Sequence, residues 1–358
     1  MSPLPRRFAL LLLALPLAGC ETIGYYAQAA AGHFEMMSLA QPVDALLADA
    51  ATPQVLRARL STALAIRDFA SRELKLPDNG SYRRYANLGR PYAVWNVVAA
   101  REFSTQALQS CFPVAGCVSY RGFFAQADAE RHAAKLRAEG QDVFVGGVAA
   151  YSTLGWFDDP LLNTFIRYPD AELARLVFHE LAHQLLYVKD DSTFNESFAT
   201  VLEREGVRRW LGANGRAQEL AAFDAARRRA AEFAALLEET RGRLDELYLR
   251  SIDAGAMRAA KAAEFADLRM RYSALKESWG GFAGYDRYLD GGPNNALLAS
   301  FATYNALVPG FTRLLAESGA DLEAFYAKAR EAAALDKAAR GRALSARSSP
   351  GPSSAPRR

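Results

Sequence analysis

The stretch Val177-Phe178-His179-Glu180-Leu181-Ala182-His183-Gln184 organises the rest of the chain. It carries the pattern His-Glu-x-x-His inside an apolar run of helical period. Histidines four residues apart lie one above the other on one face of an α-helix, so their ring nitrogens can bind one tetrahedral Zn²⁺. Glu180 then lies beside the metal, where it can take a proton from the water that the metal activates. The chain contains 4 histidines, and the motif uses two of them.

A zinc site needs a third protein ligand, and a carboxylate must supply it because no histidine follows His183. Glu196 lies in a stretch that resembles the Asn-Glu-x-x-Ala element of the gluzincin clan. In that clan a glutamate on a second helix completes a His₂Glu site and leaves one position for water. The alternative is a capping box that begins at Thr193, in which Glu196 would bond the N-cap amide.

Residues around these ligands are predicted to support the chemistry. Glu203 lies on the same helical face as Glu196 and is predicted, together with Asn195, to orient a metal ligand from behind. The alternative for Glu203 is a solvated helix carboxylate. A tyrosine is expected to stabilise the developing oxyanion because no histidine remains for that role. The candidates, in order of preference, are Tyr304 and then Tyr288 or Tyr285.

The length and composition favour a fully folded protein, and the N-terminal stretch indicates export. The chain has 358 residues, is 51% hydrophobic and carries a formal net charge of +3, which is enough length for a full core. No basic block alternates with aromatic residues, so no nucleic-acid partner is predicted. Near the N-terminus, Arg6 and Arg7 precede an apolar run at residues 8–17 that is too short to span a bilayer as a mature helix.

The apolar run ends in Leu17-Ala18-Gly19-Cys20, which resembles the lipobox of bacterial lipoproteins. The resemblance implies lipidation of Cys20 and attachment to a membrane of the bacterial cell envelope, on the periplasmic side. Glu21 is not the aspartate that commonly retains lipoproteins in the inner membrane, which favours the outer membrane. The alternative is an ordinary secretory signal that is cut elsewhere.

Two further cysteines, Cys111 and Cys117, are predicted to form a disulfide. An exported protein lies in an oxidising compartment, and the Pro and Gly between the cysteines allow so small a loop to close. The alternative is a pair of metal thiolates with His132 as a further ligand.

The order of the elements predicts an α+β fold. Its core is predicted to be zincin-like, with a small mixed sheet and the motif helix, and the remainder is mainly helical and includes a long helical hairpin. The predicted divisions are a lipoprotein signal peptide (1–19), an N-terminal helical segment (20–80), the zincin-like catalytic core (81–212), the helical hairpin (213–280), a C-terminal helical part that completes the cleft (281–335) and a disordered tail (336–358).

By analogy with zincins, residues 145–151 are predicted to form an edge strand that pairs with the substrate backbone. This prediction makes Gly146, Gly147 and Tyr151 substrate-binding candidates, because glycine in a strand often marks a place where another backbone approaches closely. A plain core strand is the alternative.

Segments 111–124, 145–162 and 179–183 together resemble a family of bacterial putative aminopeptidases, and the similarity runs from about residue 24 to residue 315. The resemblance implies a zincin core, one Zn²⁺ per chain, a peptide substrate and an envelope location. An aminopeptidase also needs an anion for the free amine of its substrate, and the sequence offers Asp158, Asp159, Asp190 and Asp191.

The opposing hypothesis is a non-catalytic, zinc-stabilised lipoprotein that acts as a scaffold and binds an envelope partner through the helical hairpin. Glu180 favours the hydrolase, because a structural zinc site has no need of a base. The sequence indicates neither the oligomeric state nor whether the enzyme trims peptides or cuts them internally.

Overall fold

The computed structural model describes the backbone of residues 15–112, 116–301 and 306–345. Within these ranges it describes the side chains from residue 24 onwards, except that of Phe112. Tyr304, residues 1–14, the tail from residue 346 and the side chain of Cys20 lie outside the described residues. As predicted, the protein is a mixed α+β fold and mostly helical. In the described ranges no helix combines the length and the apolar character that crossing a bilayer requires.

The strands are short and form three small sheets. One sheet has the order β1-β2-β8, another has the order β6-β3-β7, and β4 pairs with β5 alone. The strands are β1 (Gln41–Pro42), β2 (Arg84–Ala86), β3 (Val94–Ala100), β4 (Ser110–Phe112), β5 (Gly116–Val118), β6 (Arg121–Phe123), β7 (Asp142–Val148) and β8 (Leu161–Leu162).

The helices follow and interrupt these strands along the chain. They are α1 (Leu15–Leu39), α2 (Val43–Ala48), α3 (Gln54–Arg72), α4 (Gln126–Ala138), α5 (Asp170–Leu185), α6 (Ser192–Ala213), α7 (Ala217–Tyr248), α8 (Ala254–Ser278), α9 (Asp286–Leu289), α10 (Asn295–Phe301), α11 (Val308–Glu317), α12 (Leu322–Ala333) and α13 (Lys337–Ser345). The pair α7 and α8 packs together, which confirms a long helical hairpin in the region predicted for it.

The sheet β6-β3-β7 is antiparallel throughout, with β3 at its centre. Helix α4 packs against β3 and β7, and so does α10. In the described part of the chain β7 pairs with β3 alone, so no strand covers its other edge. The predicted edge strand therefore exists, although it ends at Val148 and residues 149–151 leave the sheet.

The motif helix α5 is held by its apolar side in the main hydrophobic core. Val177, Phe178 and Leu181 are completely buried. Helix α6 approaches this side closely at Gly206, where a Cβ atom would lie 2.7 Å from the Phe178 ring. Because the core holds both helices in place, it also sets the positions of the two histidines on α5 relative to Glu196 on α6. These side chains face each other where the two helices meet. The main neighbours of α5 are helices, so the zincin-like core stays a prediction.

The C-terminal segment is folded as far as residue 345, so the predicted disordered tail is wrong for residues 337–345. Helix α13 places Arg340 in a buried ion pair with Asp191, whose side chain caps α6. The guanidinium also lies 5.2 Å from the ring centroid of Phe194. Leu344 packs against Gly310, where a Cβ atom would collide with the Leu344 carbonyl. The segment was misjudged because its alanines and arginines carry almost no apolar period.

We expect Arg340→Ala to lower the free energy of unfolding by about 3–5 kcal/mol, because it leaves the Asp191 carboxylate buried and unpaired. Chemical denaturation measures the loss. The matched control is Arg342→Ala on the same helix, where the side chain is exposed and the stability should hardly change. Equal stability of both variants would show that α13 is not anchored to α6 in this way.

Candidate metal centre

His179, His183 and Glu196 bring their ligand atoms together between α5 and α6. The two histidine Nε2 atoms lie 3.1 Å apart. One carboxylate oxygen of Glu196 lies 3.2 Å from His179 Nε2, and the other lies 3.6 Å from His183 Nε2. Ligands that bind one tetrahedral zinc at roughly 2.0–2.1 Å are separated by about 3.3 Å from one another. The three side chains therefore have the spacing of a preassembled metal site.

The donor set also suits zinc chemically. Two imidazole nitrogens and a carboxylate oxygen converge at short range, and these are ligand atoms that zinc binds in proteins. In the described ranges these three residues are the one group of His, Cys, Asp and Glu side chains that converges in this way. Three protein ligands leave the fourth position of a tetrahedral ion open, as in catalytic rather than structural zinc sites.

The electrostatics of the two histidines differ. Burial alone lowers the pKa of the His179 ring, but hydrogen bonds to Glu196 and Glu203 outweigh it and raise that pKa to about 10. Burial and the neighbouring His179 lower the pKa of His183 to about 4. Without a metal, His179 therefore carries one proton more than a neutral imidazole and His183 is neutral. A divalent cation must displace the proton on His179 Nε2.

The start of α6 decides between the two roles predicted for Glu196. The N-cap is Asp191, whose carboxylate accepts a hydrogen bond from the Phe194 amide at 3.1 Å. Thr193 is therefore inside the helix, and the capping-box alternative for Glu196 is wrong. Asn195 does not contact a histidine: its side chain exchanges two 2.8 Å hydrogen bonds with the backbone of Val188, which holds the turn between α5 and α6.

Glu203 lies directly behind His179. It is 3% exposed, and its Oε2 lies 2.8 Å from His179 Nδ1 and 3.0 Å from Arg175 Nη1. Burial alone raises its pKa, but Arg175 and His179 lower it to about 2, so the carboxylate stays charged. A charged acceptor at Nδ1 keeps the proton there and leaves Nε2 free to bind a metal. Glu203 is thus a buried partner of His179, and the alternative of a solvated carboxylate is wrong.

We expect Glu203→Gln to weaken zinc binding about 10- to 100-fold, because the neutral amide no longer orients and polarises His179. Competition with a chromogenic chelator measures the affinity. Glu205→Gln is the control, since Glu205 lies on the same helix but pairs with Arg208 and Arg209. Equal zinc affinity in the two variants would contradict the role of Glu203.

Glu180 follows His179 on α5 and is half buried. Burial raises its pKa, and the charges of Glu196 and Asp159 add to this effect, against the opposing influence of His179 and of a hydrogen bond from Ser152. A carboxylate with a raised pKa is suited to accepting a proton and passing it on near neutral pH.

The loop from Ser152 to Asp159 supports Glu180 and was not predicted from the sequence. Asp159 is 1% exposed and accepts hydrogen bonds from the Thr153 amide, the Thr153 hydroxyl and the Ser152 hydroxyl. Burial raises its pKa. The loop turns at Gly155, which has φ +83° and lies against Gln184 of the motif helix. The Asp159 carboxylate and the hydroxyls of Ser152 and Thr153 thus form an ordered polar loop near Glu180.

Three tyrosines near the centre were also missed. The Tyr187 ring lies 6.3 Å from that of His183. Tyr82 is completely buried, and its hydroxyl has no hydrogen-bond partner among the described residues. Burial raises the pKa of Tyr120, and so do the nearby charges of Glu196 and Glu180. Tyr120 and the Ser152–Asp159 loop lie in segments 111–124 and 145–162, and the family resemblance of those segments was the available signal.

The remaining predicted residues are distributed over the same cleft and its surroundings. Gly146, Gly147 and Tyr288 line a cavity beside β7. Tyr151 does not, since its ring packs 5.1 Å from Phe124. Tyr285 stacks at 4.4 Å on a phenylalanine of the α7–α8 hairpin.

The cysteine prediction is confirmed. Cys111 and Cys117 form a disulfide across the β4–β5 hairpin. The alternative of metal thiolates with His132 is therefore wrong, and the His132 ring packs against Phe123 instead.

Comparison with known proteins identifies the family of this chain. The model of a family described as "Putative aminopeptidase" matches residues 24–344, which is most of the chain and includes the whole candidate metal centre. No curated protein and no solved structure matches the chain.

Proposed function

The chain belongs to the putative aminopeptidase family, and from that premise we propose that it is a zinc-dependent peptidase. The observation that carries the proposal is the convergence of His179, His183 and Glu196 at the spacing of ligands to one metal ion, with Glu180 next to them. A purely structural zinc site is usually closed by four protein ligands, and it has no use for an adjacent base with a raised pKa.

The proposed mechanism assigns a distinct task to each of these residues. His179, His183 and Glu196 would hold Zn²⁺, and Glu203 would keep His179 in the tautomer that binds it. The ion, when bound, supplies a Lewis acid that activates water and polarises the scissile carbonyl. Glu180 takes the proton from the attacking water and later delivers it to the leaving amine. Tyr120 and Tyr187 are the described tyrosines whose positions suit a donor to the developing oxyanion.

We place the peptide along the edge of β7 that does not pair with β3. An extended substrate can add to that edge through main-chain hydrogen bonds. The chain leads from the edge strand towards the metal centre, because the hydroxyl of Ser152, four residues after Val148, is close enough to Glu180 to oppose the rise in its pKa. Packing also favours glycine at position 147, because a Cβ atom there would lie 2.3 Å from the Tyr92 ring.

Exopeptidase action needs an acidic partner for the free amine of the substrate. Asp191 is already paired with Arg340, and the carboxylate of Asp159 is occupied by the hydrogen bonds of its own loop. Asp158 and Asp190 keep exposed side chains. Of the four candidates these two are therefore the ones that can receive an amine.

The proposal includes an envelope location with a lipid on Cys20, on the evidence of the sequence Leu17-Ala18-Gly19-Cys20. Metabolic labelling with a fatty-acid analogue tests it. The wild-type chain should be labelled and found with membranes, and Cys20→Ser should be neither.

Peptide hydrolysis by the full-length chain, purified in mild detergent, tests the proposed function. We expect release of p-nitroaniline from aminoacyl-p-nitroanilides, loss of this activity with 1,10-phenanthroline and its return on addition of zinc. Slower hydrolysis of N-acetylated substrates would indicate an aminopeptidase, and equal hydrolysis would indicate an endopeptidase. A folded, zinc-loaded chain that hydrolyses neither kind would overturn the proposal in favour of the scaffold.

A further inference from the structure

A cavity of about 380 Å³ lies beside β7 and is separate from the metal ligands. Strands β3 and β7 form one wall, and α9 with the end of α10 forms another. This volume is within the range of ligand pockets, roughly 300–1,000 Å³. Its apolar lining includes four half-buried aromatic rings, those of Tyr92, Phe144, Tyr288 and Phe301.

Three of these rings, from both walls, pack against one another. The ring centroid of Tyr288 lies 6.3 Å from that of Phe144 and 5.2 Å from that of Phe301. Covering half-buried aromatic rings with another apolar group is favourable, because it removes their remaining apolar surface from water. The cavity therefore favours a large apolar group.

Tyr120 is a neighbour of both the cavity and the metal centre. Tyr120 lines the cavity, and the same phenol is close enough to Glu196 and Glu180 for their charges to raise its pKa together with burial. Gly147, on the cavity wall, is five residues from Ser152, whose hydroxyl is close enough to Glu180 to oppose the rise in the pKa of that carboxyl. Five residues of chain span at most about 18 Å. A peptide cut at the metal centre and extended along β7 would reach the cavity within a few residues.

Arg287 gives the cavity a positive group. Its guanidinium lies 4.8 Å from the Tyr288 ring centroid, and Nη2 donates a 2.8 Å hydrogen bond to the Tyr288 hydroxyl. Within the described ranges no carboxylate forms an ion pair with Arg287. The acidic residue of the lining, Glu130, has a cation of its own, since it lies 3.7 Å from Arg137. An incoming carboxylate thus finds one cation that is free to bind it.

We propose that this cavity binds the C-terminal residue of a short peptide substrate, with a large apolar side chain against the aromatic rings and the terminal carboxylate on Arg287. The proposal rests on the proposed function, because it takes the ligand of this cleft to be a peptide. It adds the substrate class: short peptides with a free carboxylate and an aromatic or large aliphatic last residue.

Binding of tripeptides to the full-length, zinc-loaded Glu180→Gln protein tests this without turnover. The probes are two alanines followed by phenylalanine, the same peptide with an amidated end, and trialanine. By isothermal calorimetry we expect trialanine to bind about tenfold more weakly than the first peptide, for lack of the buried ring. The amide should bind about threefold more weakly, as expected for an accessible ion pair.

Second substitutions in this protein assign each preference to a residue. Tyr288→Ala should remove the preference for phenylalanine, and Tyr288→Leu, which keeps apolar packing, should reduce it. Arg287→Gln should remove the preference for the free carboxylate, and Arg287→Lys should keep part of it. The matched controls are Phe282→Ala and Arg229→Gln, a ring and a cation that contact each other outside the cavity lining and should leave both preferences intact.

Three results would overturn the proposal: no binding of any tripeptide, binding without the two preferences, or preferences that survive Tyr288→Ala and Arg287→Gln undiminished. The proposed function fails differently. If the wild-type chain hydrolyses no peptide but the Glu180→Gln protein shows both preferences, the cavity assignment stands and the peptidase assignment does not. If hydrolysis is present but the preferences are not, the cavity assignment alone is wrong.

Discussion

Replacing Glu180 by glutamine is expected to lower kcat about 10²- to 10⁴-fold, the usual contribution of a general base. The amide has the same size as the carboxylate but cannot accept a proton. The three ligand side chains are untouched, so zinc content should equal that of the wild-type chain. Steady-state kinetics and metal analysis on the same preparation measure the two effects.

Glu172→Gln is the matched control for this substitution. Glu172 also lies on α5, about two turns before His179 and three turns before His183. Its carboxylate pairs with Arg175 and Arg227. It should keep nearly wild-type kcat. If Glu180→Gln retained wild-type activity with zinc bound, the base would have to be another group. If the wild-type chain and Glu180→Gln were both inactive, the scaffold hypothesis would gain support.

Replacing Glu196 by glutamine should weaken zinc binding by more than about 100-fold, which is more than the loss expected when a residue behind a ligand is changed. The substitution removes the one anionic ligand and leaves two imidazoles that hold a divalent cation poorly. Activity at limiting zinc should fall in parallel and recover in part at high zinc concentration. Chelator competition and zinc titration of the activity give the two numbers.

Glu205→Gln serves here as well, because it removes a carboxylate of α6 at a point that does not face the histidines. A zinc affinity that is the same in Glu196→Gln and in Glu205→Gln would show that Glu196 is not a ligand. In that event the third ligand would have to come from outside the described residues.

The sequence was sufficient for the parts of the site that lie on regular helices. A spacing of four residues determines that His179 and His183 share a helix face, and the structure brings Glu196 of the next helix to both of them. The edge strand, the helical hairpin and the disulfide follow equally from local patterns of apolar residues, glycine and cysteine.

What the sequence could not show depends on contacts between distant segments. Asp159 and Ser152 lie in an irregular loop, and the position of a loop is set by the elements on which it packs. Tyr120 lies in the short connection between β5 and β6, and its position beside the metal centre depends on how these strands pack, for which the sequence has no periodic signal. Helix α13 was missed for a related reason, since the buried pair of Arg340 with Asp191 stabilises a segment of low apolar content.

The metal content of the purified full-length chain shows whether His179, His183 and Glu196 bind zinc. Elemental mass spectrometry of the wild-type protein should find one zinc per chain, and the double variant His179→Ala and His183→Ala should hold none after the same purification. A folded wild-type chain without tightly bound zinc, or a double variant that holds as much zinc as the wild type, would contradict the account.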